Sequence, residues 1–334
     1  PVFGARVKGM NADKVKNVPG VTHVVEIGNG VAVVGRNFWA ARQGREALQV
    51  EWDAGPHAAL STEALSKQFR EKAAQPGPLA RKAQDPQAIK AAAKTLVAEY
   101  EVPFLAHAPM EPLNCTVELR GDAAEVWVGS QFQTVDQAAA ARALGLEPKQ
   151  VTLHTLLAGG GFGRRANPAS DYVVEACEIA RQVKVPVKVV WTREDDIRGG
   201  YYRPMYVHRV EAALDAKGGI AGWNHAIVGP SIIAGTAFEP MMVKDGIDPT
   251  STEGVADTPY DIPNLQVALH TVDTGVPVLW WRSVGHSHTA FVMETMIDEL
   301  AAAAGKDPVA FRRDLLRKHP RVQRTLDLAA QKAG

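Results

Sequence analysis

The chain has 334 residues, 46% hydrophobic and 22% charged, enough for two domains and a large core. Its 37 basic and 37 acidic residues cancel, so no overall field points to nucleic acid or an anionic membrane as partner. With Cys115 and Cys177 its only cysteines, an iron–sulfur cluster or zinc ribbon built from this chain alone is excluded.

Pro1-Val2-Phe3-Gly4 reads like the middle of a strand with no initiator methionine, and Leu326 to Gly334 stops inside a helical pattern. A piece of a longer polypeptide is therefore expected; no signal peptide and no long apolar run is seen. Asp13 to Asn17 predicts a short helix. Val21 to Ile27 and Val31 to Val34 predict a hairpin turning at Gly28-Asn29-Gly30. Asn37 suits the cap of a helix from Phe38 to Ala47, and Leu48 to Trp52 reads as a strand. Residues 54–97, punctuated by Pro56, Pro76, Pro78 and Pro86, read as a connector without a core.

From residue 98 the pattern turns β-rich, with strands at Leu96 to Val102, Thr116 to Leu119 and Glu125 to Gly129. A helix from Gln133 to Leu144, closed by Gly145, leads to a strand from Gln150 to Thr155. Then comes Leu156-Leu157-Ala158-Gly159-Gly160-Gly161-Phe162-Gly163-Arg164-Arg165. Four glycines in five residues strip away the Cβ atoms that would hold a ligand off the backbone, leaving N–H groups for a polar or anionic ligand. The plain alternative is a tight strand-to-helix connection with no ligand. The dinucleotide fingerprint fails because its third glycine falls on Arg164, and no Gly-Lys-Ser or Gly-Lys-Thr supplies a P-loop.

Asn167-Pro168 should start the next helix, with Tyr172, Ala176, Ile179 and Val183 on its buried face and Cys177 a small core residue. Val185 to Trp191 is a strand ending in the acidic run Glu194-Asp195-Asp196, which reads as a solvated loop. Arg209 to Leu214 and Ile220 to Val228 form a hairpin, and the last helices are Thr289 to Ala304 and Pro308 to Lys318. Glu294 and Asp298 share a face of the first and read as structural.

Three further segments carry candidate chemistry. His107-Ala108-Pro109-Met110-Glu111-Pro112-Leu113-Asn114 is a rigid loop, a functional loop or simply a turn. Gln131, just past a strand, offers an amide donor suited to a metal-oxo group or a heterocycle. In Trp280-Trp281-Arg282-Ser283-Val284-Gly285-His286-Ser287-His288 the aromatics would fix the Arg282 guanidinium for an oxyanion or carbonyl. His286 and His288 would share one side of a strand, but no third ligand is evident and no metal site is expected.

In this order, His107 to Pro112, Trp127 to Gln131, Gly159 to Arg165, Trp191 to Asp196, Tyr202-Arg203-Pro204 and Trp281 to Gly285 resemble the large subunit of the xanthine oxidase family of molybdenum hydroxylases. The nearer likeness is to the branch of isoquinoline 1-oxidoreductase β-subunits and bacterial aldehyde dehydrogenases. The resemblance implies an α/β to α+β fold with mixed sheets: a hammerhead segment over residues 1–53, a connector over 54–97, and the first half of the molybdopterin-binding domain over 98–334. Gly160, Gly161, Phe162 and Gly163 match the loop against the pterin dithiolene and the metal's oxo and sulfido ligands. Gln131 matches the glutamine bonded to the apical oxygen, and Arg282 the arginine near cofactor and substrate.

The resemblance further implies a molybdenum–molybdopterin cofactor, its cytosine dinucleotide form left open, and oxidation of an aldehyde or aromatic N-heterocycle with water as oxygen source. Electrons would leave through a small iron–sulfur subunit toward a cytochrome or another acceptor. A bacterial, periplasmic location is favoured over a cytoplasmic one. Ala166 and Val284 depart from the purine-oxidising pattern and argue against xanthine. The family's general base is a glutamate in a Gly-Glu pair, which this chain lacks, so the piece alone is expected to be inactive. Two rivals stand beside this reading: an idle binding or assembly domain of the same fold, and a nicotinamide-dependent dehydrogenase.

Overall fold

The computed structural model describes residues 2–85 and 87–334, so the readings made at Pro1 and Pro86 lie outside it. The described chain divides into two compact units: residues 1–60, 106–202 and 275–279 form one, and 61–105, 203–274 and 280–334 the other. These units cross the boundaries suggested by the sequence at 53/54 and 97/98. The expected mixed sheets are present in both.

The first unit is built on a four-stranded sheet in the order Val151–Thr155, Ala123–Val128, Asn114–Arg120, Val187–Val190. The first pair is parallel and the others are antiparallel. Helices Gln133–Leu144 and Asp171–Val183 pack on it, burying Ala140, Ala141, Tyr172, Ala176, Cys177 and Ile179 among Val117, Val126 and Val128. Both cysteines are free and buried, and burial pushes the Cys177 thiol up to about 12.

Residues 6–53 add the predicted hairpin Val21–Ile27/Gly30–Gly35 and the helix Phe38–Ala47, whose cap is Asn37, its Oδ1 accepting from Ala40 N at 2.9 Å. The hairpin lies on helix Asp171–Val183, where Gly28 N and Asn29 Nδ2 donate to Glu178 and Glu175. That helix starts later than expected. Asn167 does not cap it but accepts from Ala169 N in a local turn, and Ser170 precedes the first turn in left-handed conformation. The acidic run also departs from expectation: Thr192 and Asp195 form a capping box opening the helix Arg193–Arg198.

The second unit is a five-stranded sheet in the order Leu79–Arg81, Leu265–Thr271, Ile220–Gly229, Tyr206–Leu214, Lys94–Val102. Helix His286–Ala303 buries Val292, Met293, Met296, Ile297 and Leu300 against its core. The coreless connector expected over 54–97 is corrected here. Helix Thr62–Ala73 packs on strands Tyr206–Leu214 and Ile220–Gly229 and buries Leu65, Phe69 and Ala73 at helical spacing, while Lys94–Val102 is a full edge strand. Phe69, fully buried, alone removes about 2–3 kcal/mol worth of apolar surface from water.

Candidate functional site

Helix Gln133–Leu144 is the crossover between parallel neighbours Ala123–Val128 and Val151–Thr155, so the carboxyl ends of these strands lie side by side. Ligand sites in open α/β sheets form at that edge. Gln131 follows the first strand and the glycine loop follows the second, so topology brings them together. Gln131 N donates to Arg165 O at 3.0 Å, and Gly163 N donates to Gln131 Oε1 at 3.3 Å. With Oε1 engaged inside the loop, the exposed side chain has its Nε2 protons left for another acceptor.

The loop's conformation needs its glycines. Gly160 and Gly163 sit at φ of 101° and 103°, and Phe162 between them is also left-handed at 54°. That position costs a non-glycine residue about 1–2 kcal/mol. A Cβ on Gly161 would collide with Gln131 Oε1, and one on Gly160 would stand 3.2 Å from the Phe162 ring. Among the described residues, the amides of Gly160, Gly161 and Phe162 donate to no protein acceptor. The strip is only partly buried, and it is therefore a row of ready donors for an oxygen-rich ligand.

Arg165 holds this strip in place. It is fully buried, and its Nε, Nη1 and Nη2 donate to the carbonyls of Gly160, Gly129 and Glu111 at 2.9, 3.3 and 3.1 Å. One guanidinium thus ties the glycine loop, the strand end before Gln131 and the 107–114 loop. Glu111 Oε1 lies 3.5 Å from it and balances its charge. Glu111 also exchanges bonds with Gly159, accepting from its N and donating to its O. Burial would raise the Glu111 carboxyl, but Gly159 N, Asn114 and Arg165 outweigh it and hold it low. Arg193 reaches the carbonyls of Pro109 and Met110 and fixes the same loop.

Beneath Gln131, Asp136 is buried and accepts from Ser130 Oγ and from Ser170 Oγ at 2.7 Å, while Ser130 Oγ accepts from Phe132 N. Burial raises the Asp136 carboxyl despite these bonds. The sequence reading missed Arg165 and Asp136. A lone carboxylate on the alanine face of Gln133–Leu144 was a visible signal for Asp136; an arginine after glycines gives none.

The structure corrects the Trp280 to His288 segment. Arg282 belongs to the other unit, its side chain is exposed, and among the described residues no aromatic face holds it. His286 and His288 lie in the first turn of a helix and not on a strand, and no metal-holding group of His, Cys, Asp or Glu occurs among the described residues. Glu294 and Asp298 are structural as read: both accept from Arg312, at 2.8 and 2.5 Å.

Comparison with known proteins gives this geometry its setting. The model of the molybdopterin cofactor-binding domain matches residues 71–316. The chain is 32% identical to the isoquinoline 1-oxidoreductase subunit beta of Brevundimonas diminuta, over 96% of this chain and 42% of that protein. It is 28% identical to the membrane-bound aldehyde dehydrogenase [pyrroloquinoline-quinone] of Gluconacetobacter polyoxogenes, over 94% and 42%. It thus spans about two-fifths of the length of these relatives. Among solved structures, the aldehyde oxidoreductase of Desulfovibrio gigas superposes with a TM-score of 0.70 at 19% identity, over 94% of this chain and 38% of that one, so the fold is shared. The chain belongs to the molybdopterin cofactor-binding domain family.

Proposed function

We propose that this chain is part of the large subunit of a molybdenum hydroxylase that oxidises an aldehyde or an aromatic N-heterocycle, with water as oxygen source. The observation that carries this reading is the row of uncommitted amides at Gly160, Gly161 and Phe162, set beside Gln131 at the carboxyl ends of parallel strands. The donor set fits the cofactor: it is neutral, and at Gly160 and Gly161 it is free of Cβ atoms where an oxygen- and sulfur-rich group must approach. When bound, molybdopterin supplies the metal that accepts the substrate's two electrons.

The protein's own groups position that chemistry. The amides of residues 160–162 donate to the group, and Gln131 adds its Nε2 protons from a side chain oriented by Gly163 N. Arg165 keeps the strip from relaxing into water. The names of the relatives, isoquinoline 1-oxidoreductase and aldehyde dehydrogenase, support the two substrate classes. In this reading electrons pass to an iron–sulfur subunit; the two buried thiols of these residues are too few to hold a cluster themselves.

Metal analysis of the full-length protein, produced with an intact cofactor pathway, tests this reading. Wild type should carry molybdenum near stoichiometry and Gly161→Val little, since its side chain displaces Gln131. A wild-type protein without molybdenum sinks the enzyme and leaves the assembly domain; saturable NAD binding would establish the dehydrogenase instead.

A further inference from the structure

The second unit contains a buried arginine that the described residues leave unsatisfied. Arg203 is 4% exposed, and its only hydrogen-bond partner among the described residues is the Pro103 carbonyl, at 2.6 Å from Nη2. Its Nε is buried without any partner, and no carboxylate among the described residues pairs with it. A guanidinium taken out of water with neither counter-ion nor acceptor is costly, and such a group normally marks a missing anion.

Arg203 lines a small cavity together with Tyr206, Trp280, Trp281, Ser287 and His288. The water-sized space in it is about 10 Å³, room for one water or one ligand oxygen.

Behind His288 runs a chain of buried histidines whose direction is fixed. Trp223 Nε1, which can only donate, faces His225 Nδ1 at 3.5 Å. The His225 proton is therefore on Nε2, which meets His208 Nδ1 at 2.8 Å. The His208 proton is then on Nε2, which meets His288 Nδ1 at 3.0 Å. Neutral His288 must carry its proton on Nε2, with its ring stacked on Tyr206 at 3.8 Å between centroids. Burial first, and then neighbouring charges, hold His208 and His288 well below the ordinary histidine range. The histidines thus add a donor and no charge.

We propose that this cavity is a subsite for a monoanionic carboxylate, one oxygen of which is bound by Arg203 Nε–H and His288 Nε2–H. A single guanidinium backed by neutral histidines balances one negative charge, which favours a carboxylate over a phosphate dianion. The space admits one oxygen, so the remainder of the acid lies outside it. The assignment stands independently of molybdenum.

Calorimetric titration of the full-length protein with formate and acetate at constant ionic strength, with inorganic phosphate and chloride as parallel arms, is the test. Saturable carboxylate binding is expected, weakened about tenfold or more in Arg203→Met and in His288→Phe. No saturation by either carboxylate overturns the proposal, as does phosphate or chloride binding as tightly. Should a variant fail to fold, wild type labelled with ¹⁵N-histidine decides. All three buried rings should be neutral Nε2–H tautomers, with acetate moving the His288 Nε2–H signal; an Nδ1–H tautomer at His288, or no movement, overturns it.

Discussion

Arg165 and Arg203 are both buried guanidiniums, one in each unit, and they are treated in opposite ways. Arg165 spends three nitrogens on three carbonyls and has Glu111 3.5 Å away. Among the described residues Arg203 has one carbonyl and no carboxylate. A fully satisfied buried charge builds structure, because every loop it ties loses freedom. An unsatisfied one weakens structure, so its place in the fold points to something that binds.

The largest effect should separate the two outright. Arg165→Met frees the carbonyls of Gly160, Gly129 and Glu111 together and should lower stability by about 3–5 kcal/mol in urea unfolding. It should also speed amide exchange across 159–163. A loss under about 1 kcal/mol would show that Arg165 ties nothing.

Glu175 extends the contrast to a carboxylate. It meets neutral donors, Asn29 Nδ2 and Trp191 Nε1, and burial, with Asp171 adding repulsion, pushes its carboxyl up to about 7. A carboxyl raised in the folded state favours folding most at low pH, and that contribution is lost as pH climbs from the ordinary glutamate range through about 7. The loss should be on the order of 3 kcal/mol and absent from Glu175→Gln. Parallel stability–pH curves for the two proteins would remove Glu175 as its source. The smallest change is expected at Arg203→Met, which should leave ligand-free stability unaltered or raise it by up to about 2 kcal/mol. A loss as large as that of Arg165→Met would erase the distinction between the arginines.

Local signals in the sequence carried much of the fold. Asn37 before an amphipathic run, Gly145 after an alanine-rich one at φ 72°, and Gly28-Asn29-Gly30 between alternating strands act within a few residues, and each appears where read. The neighbourhood of Gln131 and the glycine loop was legible for a similar reason, since strand, helix and strand in succession set it. Thr62–Ala73 was misread because its prolines flank the helix and do not enter it, while Leu65, Phe69 and Ala73 already marked a buried face. Arg203 was read only within the Tyr202-Arg203-Pro204 motif and His288 only beside His286; the cluster they form could not be read. His208, His225 and His288 come from two strands and a helix, and only tertiary packing brings His288 to the other two.

The indole of Trp223 does not line the cavity, yet it decides what the cavity offers. Each imidazole can pass a hydrogen bond in either direction, so an unanchored row has two settings, donor or acceptor at its far end. An indole N–H permits only one. Trp223 therefore writes a single binary choice that is read three hydrogen bonds away at His288, and Trp223→Phe would erase the message without touching the reader.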